Sequence, residues 1–338
     1  MGALVGLGAC AKDATTAEDD AGANGGSGAG GSGGSSQGGT AQGGAAGGTA
    51  KVPTAVRIGT FNVRNLFNDK IDGESWILDE PQSTPTTAEY LVKLGATASI
   101  VSRLDADVVM LQEVENREVL DDLAERPEIG RDYPYRHLLP GNDPRGIDIG
   151  LLSSLPIESR ASHVDDYFGR TDVANGPQYK YARDCVEIHL RVAGRSLILL
   201  GVHFKAKSND DPDKRLAEAQ HTRFIADVLA EKDPEAAIVI LGDFNDFPGS
   251  PPMDAIDGAP RFESTGRRLP AGDAWSVFSS STNTGVALHD DVVANPLLGS
   301  YYVQDTASIL HDDQLPQNLA DVSDHAPVVG TFLIQPLL

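Results

Sequence analysis

Two kinds of apolar run alternate along residues 56–334. Val56 to Val63, Val108 to Val114, Ile147 to Leu152 and Ala237 to Leu241 are short and largely apolar, the pattern of strands buried on both faces. Tyr181 to Val192 alternates apolar and polar positions like a strand with one wet face. Ser196 to Phe204 pairs with it through the turn Ala193-Gly194-Arg195. Two longer segments have helical spacing. The first has Thr87 as its expected N-cap, Glu89 close behind, and Leu91, Leu94, Ala98, Val101 and Leu104 in line until Asp105-Ala106-Asp107 stops it. The second runs from Asp213 to about Glu231, with Leu216, Ala219, Phe224, Val228 and Leu229 expected to face inward. Val292-Val293 and Val328 to Ile334 add strands, and the Asp-, Gly- and Pro-rich stretch up to Thr86 reads as a loop. No repeat of fixed period is visible, although two sheet-and-helix halves fit the order.

The strands end in polar residues of a particular kind. Asn62 follows Gly59-Thr60-Phe61, Glu113 follows Leu111-Gln112, and Asp243 and Asn245 follow Leu241-Gly242. Ser323-Asp324-His325 precedes the last strand. If these ends converge, several carboxylates share one edge and their mutual repulsion calls for a cation. A hard divalent ion beside a histidine and a free carboxylate is apparatus for hydrolysing phosphate esters. Asp243 and Asn245 alternate, so both can face one side of the strand exit, where an acid orients or deprotonates water and an amide holds an oxygen. Taken singly, Asn62 suits a turn equally well and Glu113 an ion pair; together they can share one metal. His203 ends its strand beside Lys205 and Lys207, and with Arg183 these two lysines form the local positive field expected to meet a phosphate. Asp148 is a candidate partner for His203. Asp290 or Asp291 is a candidate partner for His325. His289, His311 and Asp312-Asp313 read as solvated loop residues.

Composition divides the 338 residues unevenly. From Ala21 to Gly48 nearly every residue is Gly, Ala, Ser, Gln or Thr, with no large apolar side chain, so residues 11–52 read as a flexible linker and residues 53–338 as one large α/β domain. The net charge of −22 argues against a protein that coats nucleic acid by charge alone, yet leaves room for one that grips a single phosphate. The two cysteines, Cys10 and Cys185, provide no disulfide framework, and Cys185 lies in an alternating stretch as a small buried hydrophobe. Leu7-Gly8-Ala9-Cys10 resembles a bacterial lipobox. Residues 1–10 therefore read as a truncated signal segment whose cysteine carries a lipid, which is the only membrane contact expected.

With Thr60-Phe61-Asn62, Gln112-Glu113-Val114, Gly242-Asp243-Phe244-Asn245 and Ser323-Asp324-His325 in this order over about residues 55 to 334, the chain resembles the endonuclease/exonuclease/phosphatase superfamily, the deoxyribonuclease I-like fold. The resemblance implies an α/β (α+β) fold, a four-layer α/β/β/α sandwich of two packed mixed sheets flanked by helices, with the site at one edge. It implies Glu113 as the principal Mg²⁺ ligand, with Asn62 and Asp324 in the metal and phosphate shell and Mn²⁺ or Ca²⁺ as alternatives. Asp243 is then the base, with Asn245 beside it. His325 paired with Asp290 stabilises the phosphate, and His203 faces it from the other side. The family's usual Asp-His-Ile-Leu-Val-Ser reads Asp290-Asp291-Val292-Val293-Ala294-Asn295 here. Runs such as Arg145-Gly146-Ile147-Asp148, His203 to Lys207 and Arg215 to Ala219 are similar to bacterial secreted nuclease-like members. The expectation is a monomeric phosphodiesterase of the cell envelope or exterior, acting on DNA or RNA. A phosphomonoesterase, or a sphingomyelinase- or inositol-phosphatase-like enzyme, is the alternative, and a catalytically silent surface binding module is the second.

Overall fold

Two strand–helix–strand crossovers build the centre of the protein. In the first, β1 (Thr54–Leu66) and β2 (Val108–Val114) lie parallel, joined by α1 (Thr87–Leu104). In the second, β7 (Arg195–His203) and β8 (Ala237–Asp243) lie parallel, joined by α3 (Pro212–Lys232). α2 (Arg117–Ala124) follows β2, and β3 (Tyr135–Leu138), β4 (Asp148–Ser153), β5 (Ile157–Ser162) and β6 (Cys185–Val192) complete the stretch before β7. After β8 come α4 (Pro251–Asp257), β9 (Glu263–Ser264), β10 (Val277–Ser279), β11 (Thr284–Ala287), β12 (Asp290–Ala294), α5 (Pro296–Gly299), β13 (Ser308–Ile309) and β14 (Val328–Ile334). The computed structural model describes residues 52–70, 84–279, 284–311, 314–315 and 318–337. The expectations for Cys10, the linker and Asp312-Asp313 lie outside them, as does most of the loop before Thr86.

The strands form two mixed six-stranded sheets, ordered β13-β14-β1-β2-β4-β3 and β5-β6-β7-β8-β12-β9, with helices flanking them in the expected sandwich. The two-residue period along β7 explains how one strand serves two layers. Leu197 and Leu199 join the core that includes the first sheet, whereas Ile198, Leu200 and Val202 pack with Ala219, Ile225 and Leu229 of α3. Both faces are therefore apolar, as the unbroken hydrophobic runs required.

Four element readings change. Thr86, not Thr87, caps α1: its hydroxyl accepts from Glu89 N–H while the Glu89 carboxylate accepts from Thr86 N–H, a reciprocal capping box. β1 continues to Leu66 through a register shift after Asn62. β6 begins at Cys185 because the carbonyls of Tyr181 and Arg183 are taken by Asn142 rather than by a strand. Phe224 is 59% exposed, because α3 buries Arg215, Glu218 and Arg223 instead. Those charges find partners inside, which the apolar pattern does not register.

Candidate active site

Four parallel strand ends and the start of an antiparallel strand meet at one edge. His203 and Asp243 are register partners at the ends of β7 and β8, and Asp290 at the start of β12 pairs with Asp243 from the other side. From the first sheet, β1 brings Asn62 and β2 brings Glu113. The Glu113 backbone has φ of 66°, and it falls where the pairing with β4 shifts register. Such a bulge re-aims one side chain without ending the strand. Asn245 (φ 51°), Arg64 (52°) and Asn65 (50°) are also left-handed. Non-glycine residues rarely hold that conformation unless neighbours fix it. Gly242 makes the edge possible: its φ is +139°, and a Cβ there would lie 1.9 Å from the Val202 carbonyl oxygen.

Asn62 knits the two sheets together. Its amide nitrogen donates to Glu113 Oε1 (3.3 Å) and Asp243 Oδ2 (3.1 Å), and its oxygen accepts from Arg64 N–H (3.0 Å). Asn62 thus spaces two carboxylates with its amide nitrogen while its oxygen accepts from Arg64 N–H. Glu113 Oε2 accepts from Asn65 N–H at 2.9 Å. Lys93 of α1 in turn donates to the carbonyls of Arg64 and Asn65, and burial, then the nearby Arg64, pulls its ammonium down to about 8. Asn245 N–H donates to Asp243 Oδ1 (2.8 Å) and its amide to Asp243 Oδ2 and the Phe204 carbonyl (3.2 and 3.0 Å). Ser323 closes the ring, donating to Asn62 O and accepting from His325 N–H.

His325 Nδ1 lies 2.7 Å from Asp290 Oδ2, and its Nε2 lies 3.9 Å from Asp243 Oδ2. Burial works against its charge, but Asp290 and then Asp243 outweigh it and push the imidazole up to about 10, so His325 is an imidazolium at neutral pH. His203 is the opposite case. Its Nε2 lies 3.4 Å from Asp243 Oδ2, yet burial, reinforced by Arg183, holds it well below the usual histidine range. Asp243 itself is raised, first by burial and then by Asp290, which makes it a stronger base than an ordinary carboxylate.

The three expected cations are engaged within the chain. Lys205 donates its ammonium to the carbonyls of Ala206 and Ser208, and Lys207 to Asp246 at 3.0 Å. Arg183 is buried, with Nε 2.9 Å from Asp143 and Nη1 donating to the Phe204 carbonyl. It braces the site from behind and presents no free fork to a phosphate. In a chain with so many acids, a buried or looped cation finds an internal partner first. Asp148 does not orient His203: its Oδ1 accepts from Gly141 N–H, and His203 Nδ1 has no hydrogen-bond partner among the described residues. Asp291 turns away from the edge to Ser264 and Gly266. Asp324 stands at the rim, 3.7 Å from Arg64 Nε.

Sequence reasoning misplaced two residues and missed a third. His289 is half-buried, within electrostatic reach of Asp243, His325, Lys207 and Asp246; its place directly before Asp290 was the available signal. His311 is stacked on Trp275 at 3.7 Å, not solvated. Lys93 sits on the polar side of a helix, where nothing in the pattern separates it from a solvated lysine.

The sequence model described as the endonuclease/exonuclease/phosphatase family matches residues 57–269. The chain belongs to this family. No curated protein matches the sequence, so the remaining likenesses are structural. An endonuclease/exonuclease/phosphatase family protein from Bacteroides thetaiotaomicron superposes with a TM-score of 0.57 at 15% identity, covering 84% of this chain and 96% of that one. Truncated TDP2 from Caenorhabditis elegans gives 0.54 at 15% identity, covering 82% and 97%. A mannosyl-6-phosphatase from Bacteroides thetaiotaomicron gives 0.53 at 14%, covering 81% and 98%. At these identities the likeness is one of fold, and the fold is that of the family's phosphoesterases.

The residues at the family's site fit a hard cation. Carboxylate oxygens of Asp243 and Asp290 lie within 4.8 Å of each other, while His325, charged, offers a cation no lone pair. Asp290 Oδ1 is buried without a hydrogen-bond partner among the described residues, an orphaned acceptor that an ion or its water satisfies. Glu113 and Asp324 add carboxylate oxygens, the donors that Mg²⁺, Mn²⁺ and Ca²⁺ prefer.

Proposed function

We propose that this chain is a divalent-metal-dependent phosphodiester hydrolase acting on nucleic acid, with Asp243 as base and His325 as the cation that meets the phosphate. The observation that carries the reading is the opposed pair at one sheet edge: a buried carboxylate of raised basicity, 3.9 Å from an imidazolium held by a second carboxylate. Asp243, fixed by Asn62 and Asn245, accepts a proton from the attacking water. His325 opposes the charge that grows on the phosphoryl oxygens as the water adds. His203, neutral and buried, faces the same acid and keeps the base from being neutralised by a second cation. Glu113 and Asp324 would hold Mg²⁺, or Mn²⁺ or Ca²⁺ in its place, which when bound neutralises phosphoryl charge.

A second reading, hydrolysis of a phosphomonoester or of a small sphingomyelinase- or inositol-phosphatase-type substrate, is favoured by the binding of Lys205, Lys207 and Arg183 to partners within the chain. A long polyanion draws its affinity from free cations. The deciding experiment presents plasmid DNA, RNA, bis(p-nitrophenyl) phosphate and p-nitrophenyl phosphate to the full chain with Mg²⁺, Mn²⁺, Ca²⁺ or EDTA. Metal-dependent cutting of the polymers supports the nuclease reading, cleavage of the monoester alone replaces it, and silence on all four leaves a binding module. The Leu7-Gly8-Ala9-Cys10 stretch ahead of a Gly-rich tether supports placing this activity at a bacterial envelope through a lipid on Cys10, checked by mass spectrometry of the membrane fraction.

A further inference from the structure

The loop leaving the catalytic strand carries an aromatic ring whose position is built, not incidental. Asn245, in its left-handed conformation, turns the chain directly after Asp243, and Asp246 and Phe247 follow at the rim. Asp246 is buried and anchored: Arg215 Nε donates to its Oδ2 at 2.9 Å, and its Oδ1 accepts from Phe247 N–H at 3.1 Å. The same Oδ1 takes the Lys207 ammonium at 3.0 Å, which sets that ammonium 4.8 Å from the centre of the Phe247 ring. The Phe247 backbone is pinned in turn, its carbonyl accepting from Ser250 N–H. Phe247 is nonetheless 49% exposed, so a ring on a backbone pinned at both its N–H and its carbonyl, with one ammonium over its face, is half in solvent.

His289 links this platform to the chemistry. Its backbone is tied down, donating to Ser276 and accepting from Phe244, while its ring nitrogens make no hydrogen bond among the described residues. The ring lies within electrostatic reach of Asp243, His325, Lys207 and Asp246. Asp243, at the end of β8, and Phe247 are four residues apart, and the loop between them joins the phenyl face to the reacting centre.

We propose that Phe247, backed by Lys207 and with His289 within electrostatic reach of that lysine, is a stacking subsite for a nucleobase of the phosphoester substrate. The proposal rests on the phosphoesterase reading of the site. The ligand class follows from the chemistry of the three side chains. An apolar tail needs a wider apolar surface than one ring hemmed by Asp246 and Lys207. The ammonium is already neutralised by Asp246, so it does not recruit a second phosphate. A flat ring with polar edges uses everything present: the phenyl face for stacking and the imidazole as hydrogen-bond partner.

The test compares two diesters with the same leaving group, thymidine 5′-(p-nitrophenyl phosphate) and methyl p-nitrophenyl phosphate, on the full chain with Mg²⁺. The expected ratio of their kcat/KM values is at least about ten-fold in favour of the nucleoside ester, the scale of one base stacked on an aromatic face. Phe247→Ala is expected to collapse the ratio towards one and Phe247→Trp to keep it. A ratio unchanged in Phe247→Ala overturns the subsite. Should the wild type hydrolyse neither ester, that failure counts against the phosphoesterase reading. The subsite is then read by NMR titration with thymidine 5′-monophosphate and methyl phosphate in EDTA: tighter thymidylate binding that Phe247→Ala removes upholds it, and equal affinities refute it.

Discussion

Replacing Asp290 by Asn removes one charge and leaves the shape of the site almost unchanged, so its effect isolates the electrostatics of the pair. Asp290 is fully buried, and its Oδ2 lies 2.7 Å from His325 Nδ1. The imidazole stands at about 10 against an ordinary 6.5, with Asp290 the largest, Asp243 next and Asp324 the smallest of the carboxylate contributions opposing burial. At roughly 1.4 kcal/mol per pH unit, that rise is about 5 kcal/mol of preference for the charged ring. In Asp290→Asn the charge is still favoured by Asp243, 3.9 Å away, and more weakly by Asp324, too little to outweigh burial, so His325 is expected to be neutral at pH 7.5. Loss of a preorganised charge aimed at the phosphoryl oxygens lowers kcat/KM by about 10²–10³-fold. The wild-type profile should keep His325 charged to pH 9, whereas the variant should regain activity as pH falls and the ring protonates. Because the folded-state value lies above the unfolded one, the pair's contribution to stability is complete below pH 6.5 and fades as pH rises towards about 10. ¹⁵N spectra of the imidazole through a pH titration, with and without Mg²⁺, measure the ring directly. A wild-type His325 titrating near 6.5, or equal values in the two proteins, would refute the reasoning.

Substitutions at three further positions probe separate supports. Gly242→Ala combines a left-handed backbone with a Cβ 1.9 Å from the Val202 carbonyl oxygen, so it should cost several kcal/mol in urea unfolding, on the order of the larger point-mutant effects; a near-neutral variant would mean the strand exit is not built as described. Glu218→Ala leaves the N–H groups of Ala182 and Lys205, each now 2.6 Å from that buried carboxylate, without acceptors, at about 1–3 kcal/mol each. Burial lifts Glu218 to about 7, so wild-type stability should decline as pH rises from 4.5 through 7, and this slope should vanish in Glu218→Gln. Lys93→Met frees the Arg64 and Asn65 carbonyls that steady the Glu113 contact, and calorimetry with Mn²⁺ should register a loss of affinity of about 10-fold or more; unchanged affinity in a folded variant would deny Lys93 a positioning role.

The strand ends were legible because burial and charge change abruptly there: five apolar residues and then Gly242-Asp243 leave few alternatives to an acid at a sheet edge. The four motifs in order carried the fold. What the pattern hid was charge turned inward. Arg183, Arg215 and Glu218 are buried in ion pairs or against backbone groups, and a period-counting reading assigns such residues to solvent. For the same reason Lys205 and Lys207 looked available to a phosphate, although their acceptors, the Ala206 and Ser208 carbonyls and Asp246, come from backbone turns and a distant loop. Glu113 was found as a residue, but its left-handed bulge was not, since no local preference of glutamate foretells a φ of 66°. His289 became part of the site only once Asp290 was fixed opposite Asp243.

The most direct test of the account is the rate of Mg²⁺-dependent bis(p-nitrophenyl) phosphate hydrolysis by the full chain beside Asp243→Ala and His325→Ala, each checked for folding by circular dichroism. The account predicts turnover that EDTA removes and that both substitutions reduce by at least about 100-fold with the fold intact. Turnover that survives both substitutions in folded protein would contradict it.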